Sequence, residues 1–303
     1  MSPDSAAHVV RAAVGVRTVV VPADLTGMGR RLEVLDGPER RRVSEASAAS
    51  VTSAPSRYVA ATRAAGYLFL REVVGEVLGL PPGEVALERT CARCGEPHGR
   101  VRVTTDPGLH VSVTHLGRVG LPFAPGAPDA HPAIVAVAVT RLAPVGIDLV
   151  RVAEADFPGF DEVALHPHDH PHDHPHDLPH DLPDEPVSRA RARARLWARK
   201  ESALKAVGTG LDVDPASFAA PLPGVLTPVG PDRVTVVVAD LDDALEQADL
   251  PDLPRLDDAP GRVGAVALAR PDASVPVVLL GGRPAGVAWP PASGQTVQTG
   301  QTG

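Results

Sequence analysis

The chain is poor in cysteine and in aromatic residues. Only Cys91 and Cys94 occur in 303 residues, which excludes a framework of several disulfides. Aromatic residues make up 3% of the chain, so a core must be built mainly from valine, alanine and leucine. The 28 glycines and 33 prolines indicate many loops.

Long apolar runs and an excess of positive charge are also missing. No stretch of eighteen apolar residues is present, and the N-terminal sequence has no signal-peptide core. We therefore expect no membrane segment and a cytoplasmic location. The formal net charge of −8 argues against general nucleic-acid binding, which needs a basic surface, but it leaves room for a locally basic cleft.

The two cysteines are separated by two residues, and His98 follows them closely. Cys91, Cys94 and His98 could be three zinc ligands, although a structural zinc site requires four and no further cysteine exists. The alternative interpretation is an ordinary loop.

A repeat rich in histidine, proline and aspartate occupies residues 166–186. Proline at nearly every fourth position prevents helix and sheet, which predicts an exposed, extended or disordered insertion. Its histidines and aspartates could bind metal, so one possible class is a His-rich metal-binding protein. Residues 1–18 form an N-terminal extension, and residues 282–303 are expected to be a disordered tail.

A predicted helix over residues 189–207 carries the most informative polar side chains. Trp197, Glu201 and Lys205 recur every four residues and therefore share one face of this helix. Lys200 lies about 100° around the helix from Glu201 and could reach the same cleft. Gly208 and Gly210 are the expected helix stop. The alternative is a surface helix in which the Glu-to-Lys pair contributes only a few tenths of a kcal/mol to stability.

The segment VGIDLV, residues 145–150, has the pattern of a buried strand that carries one acid, Asp148. A carboxylate in such a strand is costly unless it is paired or holds a cation. Asp148 and Glu201 together would offer oxygen ligands of the kind that Mg²⁺ accepts when water and phosphate complete its shell. Lysines beside such a pair suit a phosphate substrate.

These motifs, with two upstream segments, resemble the 4′-phosphopantetheinyl transferases, specifically their Sfp-like single-chain class. The resemblance is seen first in Gly146-Ile147-Asp148 and in the run that begins at Trp197, Trp-x-x-Lys-Glu-Ser-x-x-Lys-x-x-Gly-x-Gly-Leu. His98-Gly99-Arg100 and Ser112-Val113-Thr114-His115 match two further motifs of this family in the expected order. The resemblance covers residues 20–285.

The resemblance implies an α+β fold, a pseudo-dimer of two similar α/β halves with the active site in the cleft between them. The halves would span residues 19–143 and 144–281. Each has a predicted helix, over 57–79 and 189–207, and the predicted strands include residues 101–105, 133–140, 233–241 and 262–270. No convincing internal repeat is present, so the pseudo-symmetry depends on the resemblance alone.

The resemblance also implies the roles of individual residues in a reaction that moves the 4′-phosphopantetheine arm of coenzyme A onto a carrier-protein serine. Asp148 and Glu201 would bind Mg²⁺, and Lys205 would stabilise phosphate charge. The implied coenzyme A contacts are Lys200, Lys205, Arg100, Thr114, His115 and one or both of Arg63 and Arg71. Glu201, Asp169 or a metal-bound water would remove the serine proton.

The implied partners are apo acyl or peptidyl carrier proteins, with no nucleic acid, no membrane and a monomeric chain. Carriers of polyketide, nonribosomal peptide and fatty-acid synthesis fit equally. The basic run at 189–195 is a candidate docking surface or simply a solvated face. Two positions depart from the family pattern: Val150 replaces a common third acid and Val101 replaces a proline. A degenerate member that binds coenzyme A without transfer is therefore a further alternative.

Overall fold

The computed structural model describes most of the chain between Ala13 and Arg283. The described residues are 13–21, 25, 28–49, 54–91, 93–96, 99–116, 133–155, 157–169, 186–241, 262–270 and 277–283. They combine α-helices with largely antiparallel sheets, which confirms the α+β class predicted from the sequence. No helix in this part of the chain is long and apolar enough to cross a membrane.

Two sheets organise the described residues. The strands are β1 Val14–Val20, β2 Leu87–Glu88, β3 Arg102–Val103, β4 His110–Leu116, β5 Ile134–Thr140, β6 Val145–Arg151, β7 Thr227–Val229, β8 Val234–Asp240, β9 Arg262–Ala269 and β10 Val277–Arg283. The first sheet has the order β10-β1-β5-β4-β3-β2, and the second has the order β6-β9-β8-β7. All pairings are antiparallel except that of β1 with β10.

Four α-helices accompany the sheets in the described ranges: α1 Gly37–Ala49, α2 Ala54–Leu78, α3 Phe160–Ala164 and α4 Pro186–Val207. Helix α2 packs against β4 and β5 of the first sheet, and α4 packs against β6, β8 and β9 of the second. Every residue of β5 is buried, which explains why its sequence is a continuous apolar run rather than an alternating one.

Both long helices end at a glycine in the left-handed conformation. Gly79 has φ +70° after α2, and Gly208 has φ +88° after α4. The next residue in each case donates its backbone N–H to a carbonyl five residues earlier: Leu80 to Gly75 and Thr209 to Leu204. This pattern satisfies carbonyls that a helix end leaves open, as the sequence predicted for Gly208.

The predicted elements match the structure closely, with one main exception. The helices expected over 57–79 and 189–207 are α2 and α4, and the apolar runs form β5, β6, β8 and β9. The strand predicted over 101–105 is reduced to the two residues of β3, because the chain turns at Thr104 and Thr105.

Strand β10 crosses back to the first sheet. It pairs with β1 in parallel, so that Val14 lies opposite Val277 and Val19 opposite Arg283. The first sheet therefore includes a strand from beyond the predicted boundary between residues 143 and 144. The two-domain division and the pseudo-dimer stay predictions.

The contact between β6 and α4 depends on Gly146. A Cβ atom at this position would overlap the backbone carbonyl oxygen of Ser202 and lie 2.5 Å from the backbone nitrogen of Ala206. Because both atoms belong to the helix backbone, they cannot rotate away. Gly146→Ala should reduce the free energy of unfolding by about 1–3 kcal/mol, the usual cost of overpacking. Thermal melts would check this, with Gly29→Ala as the control, since a Cβ at Gly29 meets nothing within 4 Å. An unchanged melting temperature for Gly146→Ala would contradict this packing.

Candidate active site

The two sheets meet where β4 faces β6. The backbone N–H of Ile147 donates to the hydroxyl oxygen of Ser112 at 3.2 Å, and the Thr114 hydroxyl donates to Asp148 Oδ1 at 2.9 Å. Ser112, Thr114 and Asp148 are all buried. Alternation along β4 explains why the first and third residues of the Ser-x-Thr-His motif both point to β6.

Asp148 lies at the centre of this seam. Lys205 of α4 places its Nζ 2.6 Å from Asp148 Oδ1 and also donates to the Ile147 carbonyl oxygen at 3.2 Å. Asp148 thus receives hydrogen bonds from one strand and one helix at the same oxygen. The structure gives the acid in the apolar strand the partner that its burial requires.

A cavity of about 200 Å³ opens beside Asp148, lined by β6, the turn after it, the start of α3 and α4. Its lining residues are Asp148, Leu149, Val150, Glu154, Ala155, Phe157, Phe160, Trp197 and Glu201. Trp197 and Glu201 contribute from one face of α4, as the helical spacing predicted. Burial raises the pKa of the Glu201 carboxyl, the Lys205 ammonium opposes this shift, and Asp148 adds to it.

Glu154 is a third acid in this cavity that the sequence analysis did not select. It lies on the short turn Val152–Glu154 after β6, with an Oε1 to Nε distance of 3.8 Å to Arg151. Val150, the position of the family's common third acid, also lines the cavity but packs in an apolar cluster with Phe160 and Val263. The sequence could have indicated Glu154 only through its position just after the Gly-Ile-Asp strand.

His115 faces the opposite side of β4 from Thr114 and lies against Gly66 of α2, where a Cβ would overlap its Nε2. His115 keeps an exposed surface, but the atoms packed around its imidazole lower its pKa to about 4. The nearby cations Lys205, Arg89 and Arg63 shift the pKa in the same direction. A neutral imidazole surrounded by three cations makes this side of β4 suitable for an anion.

Arg63 and Arg89 occupy different settings in this basic region. Arg63 is half-buried and donates to the Arg42 carbonyl oxygen at 3.1 Å. Arg89 places its guanidinium carbon 4.7 Å from the ring centre of Tyr67. Its buried Nη2 lies 3.6 Å from Glu39 Oε1, an ion-pair distance, and has no hydrogen-bond partner among the described residues. Arg89 lies ahead of the Gly99-Arg100 motif, and no pattern in the sequence distinguished it from other surface arginines.

Arg71, an expected coenzyme A contact, serves the fold instead. It is buried, its Nε donates to Glu39 Oε2 at 2.8 Å, and its Nη2 donates to Asp36 Oδ2 at 3.1 Å. At the start of α1, the backbone N–H of Asp36 donates to Glu39 Oε2 and that of Glu39 donates to Asp36 Oδ1, so Arg71 holds a capping box. Its Nη1 donates to the Val85 carbonyl oxygen at 2.6 Å. No donor of Arg71 is therefore directed at the Asp148 seam.

Arg100 packs at the C-terminal end of α4. Its Nη1 donates to the Ala206 carbonyl oxygen at 3.3 Å, and its side chain lies against Gly208. A cation at this end of a helix is favourable because the last carbonyls are partly negative. Arg100 thus joins the segment before β3 to the helix that carries Glu201 and Lys205.

Lys200 and Asp169 do not share the cavity either. Lys200 is fully buried, lies 2.7 Å from Asp169 Oδ2, and donates to the carbonyl oxygens of Ala164 and Pro215 at 2.6 and 2.8 Å. Asp169 in turn accepts the backbone N–H of Ala220 at 2.6 Å. Burial lowers the pKa of Lys200, and the Asp169 carboxylate opposes that shift. The expected phosphate contact and the expected base are therefore bound to each other in the interior.

The start of the histidine-rich insertion differs from the expected exposed loop. Residues 167–169 form a 3-10 turn, and the backbone N–H of His166 donates to Asp169 Oδ2 at 2.8 Å. Residues 170–185, with most of the repeat, lie outside the described residues, as does His98. Among the residues that are described, no group of three His, Cys, Asp or Glu side chains could hold a metal ion. The zinc interpretation and the His-rich metal-binding alternative stay untested.

Two carboxylates lie beside a lysine and next to a basic region, a combination of charges that suits phosphate groups. Residues 144–226 match the family model of the 4′-phosphopantetheinyl transferase superfamily. The match confirms the superfamily named from the motifs, and it contains Asp148, Glu154, Glu201 and Lys205. No curated protein matches the chain.

Proposed function

We propose that this protein transfers the 4′-phosphopantetheine moiety of coenzyme A to a serine of an acyl or peptidyl carrier protein and releases adenosine 3′,5′-bisphosphate. The main support is the position of Asp148, Glu201 and Lys205, which come from two elements of the matched segment to one site. The finer assignment to the Sfp-like class and to a pseudo-dimer with a central cleft belongs to this proposal.

The donor set of the cavity fits magnesium. Asp148 and Glu201 both line it, both offer carboxylate oxygens, and two protein ligands leave room for water and phosphate oxygens. Bound there, Mg²⁺ would withdraw charge from the pyrophosphate of coenzyme A. Thr114 holds Asp148 in place by its hydrogen bond to Oδ1. We infer that Asp148 and Glu201 would hold the ion.

Lys205 is placed to act on the departing phosphate. Its ammonium already lies at Asp148 Oδ1 and is partly exposed, so it can contact a phosphate beside the same carboxylate. The serine oxygen would attack the β-phosphorus while the bond from that phosphorus to the bisphosphate oxygen breaks. Lys205 would offset the charge that develops on the leaving oxygen, a role that needs no proton transfer.

The region around His115 supports a site for the 3′-phosphate of coenzyme A. Arg63, Arg89 and Lys205 supply positive charge, and the neutral imidazole of His115 can donate one hydrogen bond without adding a fourth charge. Arg89, whose Nη2 has no hydrogen-bond partner among the described residues, joins the proposed contacts. Arg71 and Lys200, whose donors are taken by carboxylate and carbonyl oxygens, leave them. Arg100 would contribute indirectly, because it holds the end of α4, the helix that carries Lys205.

Glu201 is the better candidate for the base that removes the serine proton. Asp169 is paired with Lys200 in the interior and cannot reach a substrate without breaking that pair. Glu201 borders the cavity itself, so its carboxylate can reach a substrate there. A metal-bound water remains the other candidate.

Mass spectrometry of carrier proteins tests the proposed function. The protein is incubated with coenzyme A, magnesium and a mixed set of apo carriers, and each carrier is weighed. A gain of the phosphopantetheine mass on one carrier is the expected result. Coenzyme A binding without any gain would favour the degenerate family member, and absence of both would contradict the proposal. The carrier that reacts also shows which kind of pathway the enzyme serves.

Val150 offers a test of the metal site. Its side chain lies on the same face of β6 as that of Asp148, and both line the cavity. We expect Val150→Glu to lower the magnesium concentration needed for half-maximal transfer, because an added carboxylate strengthens cation binding. Val150→Gln, which has the same shape without the charge, should not lower it. If Val150→Glu unfolds the protein, the packing of Val150 against Phe160 outweighs its place beside the site.

A further inference from the structure

Cys91 and Cys94 lie on a tight turn that the proposed function does not use. The backbone N–H of Cys91 donates to the Glu96 carbonyl oxygen at 2.8 Å, and that of Gly95 donates to the Cys91 carbonyl oxygen at 2.9 Å. Gly95 has φ +75°, which lets the chain reverse directly after Cys94. The turn therefore holds the two thiols on the same short loop.

The surroundings of the Cys91 sulfur favour its thiolate. The backbone N–H of Cys94 and then that of Arg93 form hydrogen bonds to this sulfur and lower the pKa of the Cys91 thiol, with a smaller contribution from the Cys94 side chain. The turn keeps both side chains on one short stretch of backbone, with the Cys94 side chain within hydrogen-bonding reach of Cys91. Cys91 is half-buried and Cys94 is exposed, so a small reagent can reach the pair. These are the conditions under which a thiol exchanges with disulfides.

The same loop is connected to the candidate active site at both ends. The backbone N–H of Gly99 donates to the Arg89 carbonyl oxygen at 2.6 Å, which closes the loop between the two basic residues Arg89 and Arg100. A Cβ on Gly99 would overlap the carbonyl oxygen of Thr90, so the two arms of the loop are in direct contact. The turn is therefore joined directly to the segments that carry Arg89 and Arg100.

The tip of the loop also contacts the segment after α4. Arg93 Nη1 lies 2.6 Å from Asp212 Oδ1, and both side chains are exposed. Asp212 belongs to the short turn Gly210–Asp212 that follows the helix of Glu201 and Lys205. An exposed ion pair of this kind contributes little to stability, so it does not fix the turn against rearrangement.

We propose that Cys91 and Cys94 are a reversible dithiol pair that a low-molecular-weight disulfide oxidises to an intramolecular disulfide. The Cys91 thiolate attacks one sulfur of the small disulfide, which forms a mixed disulfide and releases one small thiolate. The Cys94 thiolate then attacks the Cys91 sulfur and releases the second small thiolate. Two protein thiols are oxidised, one disulfide is reduced to two thiols, and the two protons pass through water to the released thiolates.

Oxidation should change the loop that holds Arg89 and Arg100. A disulfide requires the two sulfurs to approach to about 2.05 Å, and a disulfide sulfur no longer carries the charge that the two backbone N–H groups stabilise. The turn must then rearrange while its arms stay joined at Gly99. This expectation rests on the proposed function: the oxidised protein should bind coenzyme A roughly 10-fold more weakly. Loss of one charged hydrogen bond has an effect of about this size.

The chemical part of the inference is tested with oxidised glutathione on the full-length protein. The expected product is a monomer lighter by two hydrogens, restored by dithiothreitol, with a peptide that joins Cys91 to Cys94. Cys91→Ser and Cys94→Ser, each a change of one atom in an accessible side chain, should instead retain a single glutathione adduct. A wild-type chain that stays reduced, or carries two separate adducts, overturns the proposal, as does stoichiometric zinc held by the freshly purified protein.

A second measurement separates thiolate character from exposure. At neutral pH, limiting iodoacetamide should alkylate Cys91 before Cys94, although Cys94 is the more exposed residue. Preferential alkylation of Cys94 would contradict the assignment of Cys91 as the attacking thiol. Thermal melts of both serine variants establish that they are folded.

A binding measurement tests whether the disulfide affects the proposed coenzyme A site. Calorimetric titration with coenzyme A is compared for the reduced protein, the oxidised protein and Cys94→Ser treated in the same way. Weaker binding confined to the oxidised wild-type protein supports the link, and equal binding by reduced and oxidised protein overturns it. If the reduced protein binds no coenzyme A, the proposed function fails, while disulfide formation is still decided by mass.

Discussion

Replacement of Asp148 or Glu201 by alanine is expected to reduce phosphopantetheine transfer by roughly 100-fold or more, because each change removes an anionic ligand of the magnesium that would balance the phosphate charge. Asp148 has a second effect, since Lys205 loses the carboxylate that positions its ammonium. Transfer is measured from the carrier mass at fixed coenzyme A and magnesium, and thermal melts establish that the variants are folded.

The same cavity offers matched controls for this prediction. Glu201→Gln keeps the shape of the side chain and should be nearly as damaging as alanine, because charge and not volume is needed. Glu154→Gln changes another carboxylate that lines the cavity but lies outside the Gly-Ile-Asp and Lys-Glu motifs. Its effect should be small. Wild-type transfer by Glu201→Gln, or a loss for Glu154→Gln as large as that for Glu201→Gln, would contradict the assignment.

Loss of the Lys200 side chain should damage the fold more than the chemistry. Lys200→Met leaves the Asp169 carboxylate buried without its cation and removes the donor to two carbonyl oxygens. Removing one partner of a buried ion pair costs about 3–5 kcal/mol. Chemical denaturation should show this reduction in the free energy of unfolding, and Asp169→Leu should show a comparable one.

Two comparisons identify the buried pair as the cause. Arg93→Met removes one partner of the Arg93–Asp212 ion pair, in which both side chains are exposed, so its stability should change far less. The double variant Lys200→Met with Asp169→Asn carries no unpaired charge in the interior and should recover part of the loss. Equal stability of Lys200→Met and the wild-type protein would show that this pair contributes little.

Periodicity predicted the elements of the candidate site well. The four-residue spacing of Trp197, Glu201 and Lys205 placed them on one helix face, and the apolar run around Asp148 predicted a buried strand. Both predictions depend only on local geometry and on the cost of burying a charge. Both can be worked out from the order of residues alone. The two elements also had to lie together, and the motif order in a known family supplied that information.

The long polar side chains were harder to place because helix position alone does not fix their partners. Lys200 is one residue from Glu201, so about 100° of rotation directs it to Asp169 in the interior and not to the cavity. Arg71 meets Asp36 and Glu39, which are more than thirty residues away in the sequence. Such contacts are set by how helices pack, and no local pattern predicts them.

The pairing of β1 with β10 has a consequence for folding during synthesis. The two strands are separated by more than 250 residues, so β1 can pair with β5 early but has no partner on its other side until β10 has been made. During that interval the outer edge of β1 offers unpaired backbone groups to any other chain. Contacts this distant in sequence also form slowly. The nascent chain can therefore aggregate through β1, and a slowly translating or overproduced chain benefits from protection at that edge.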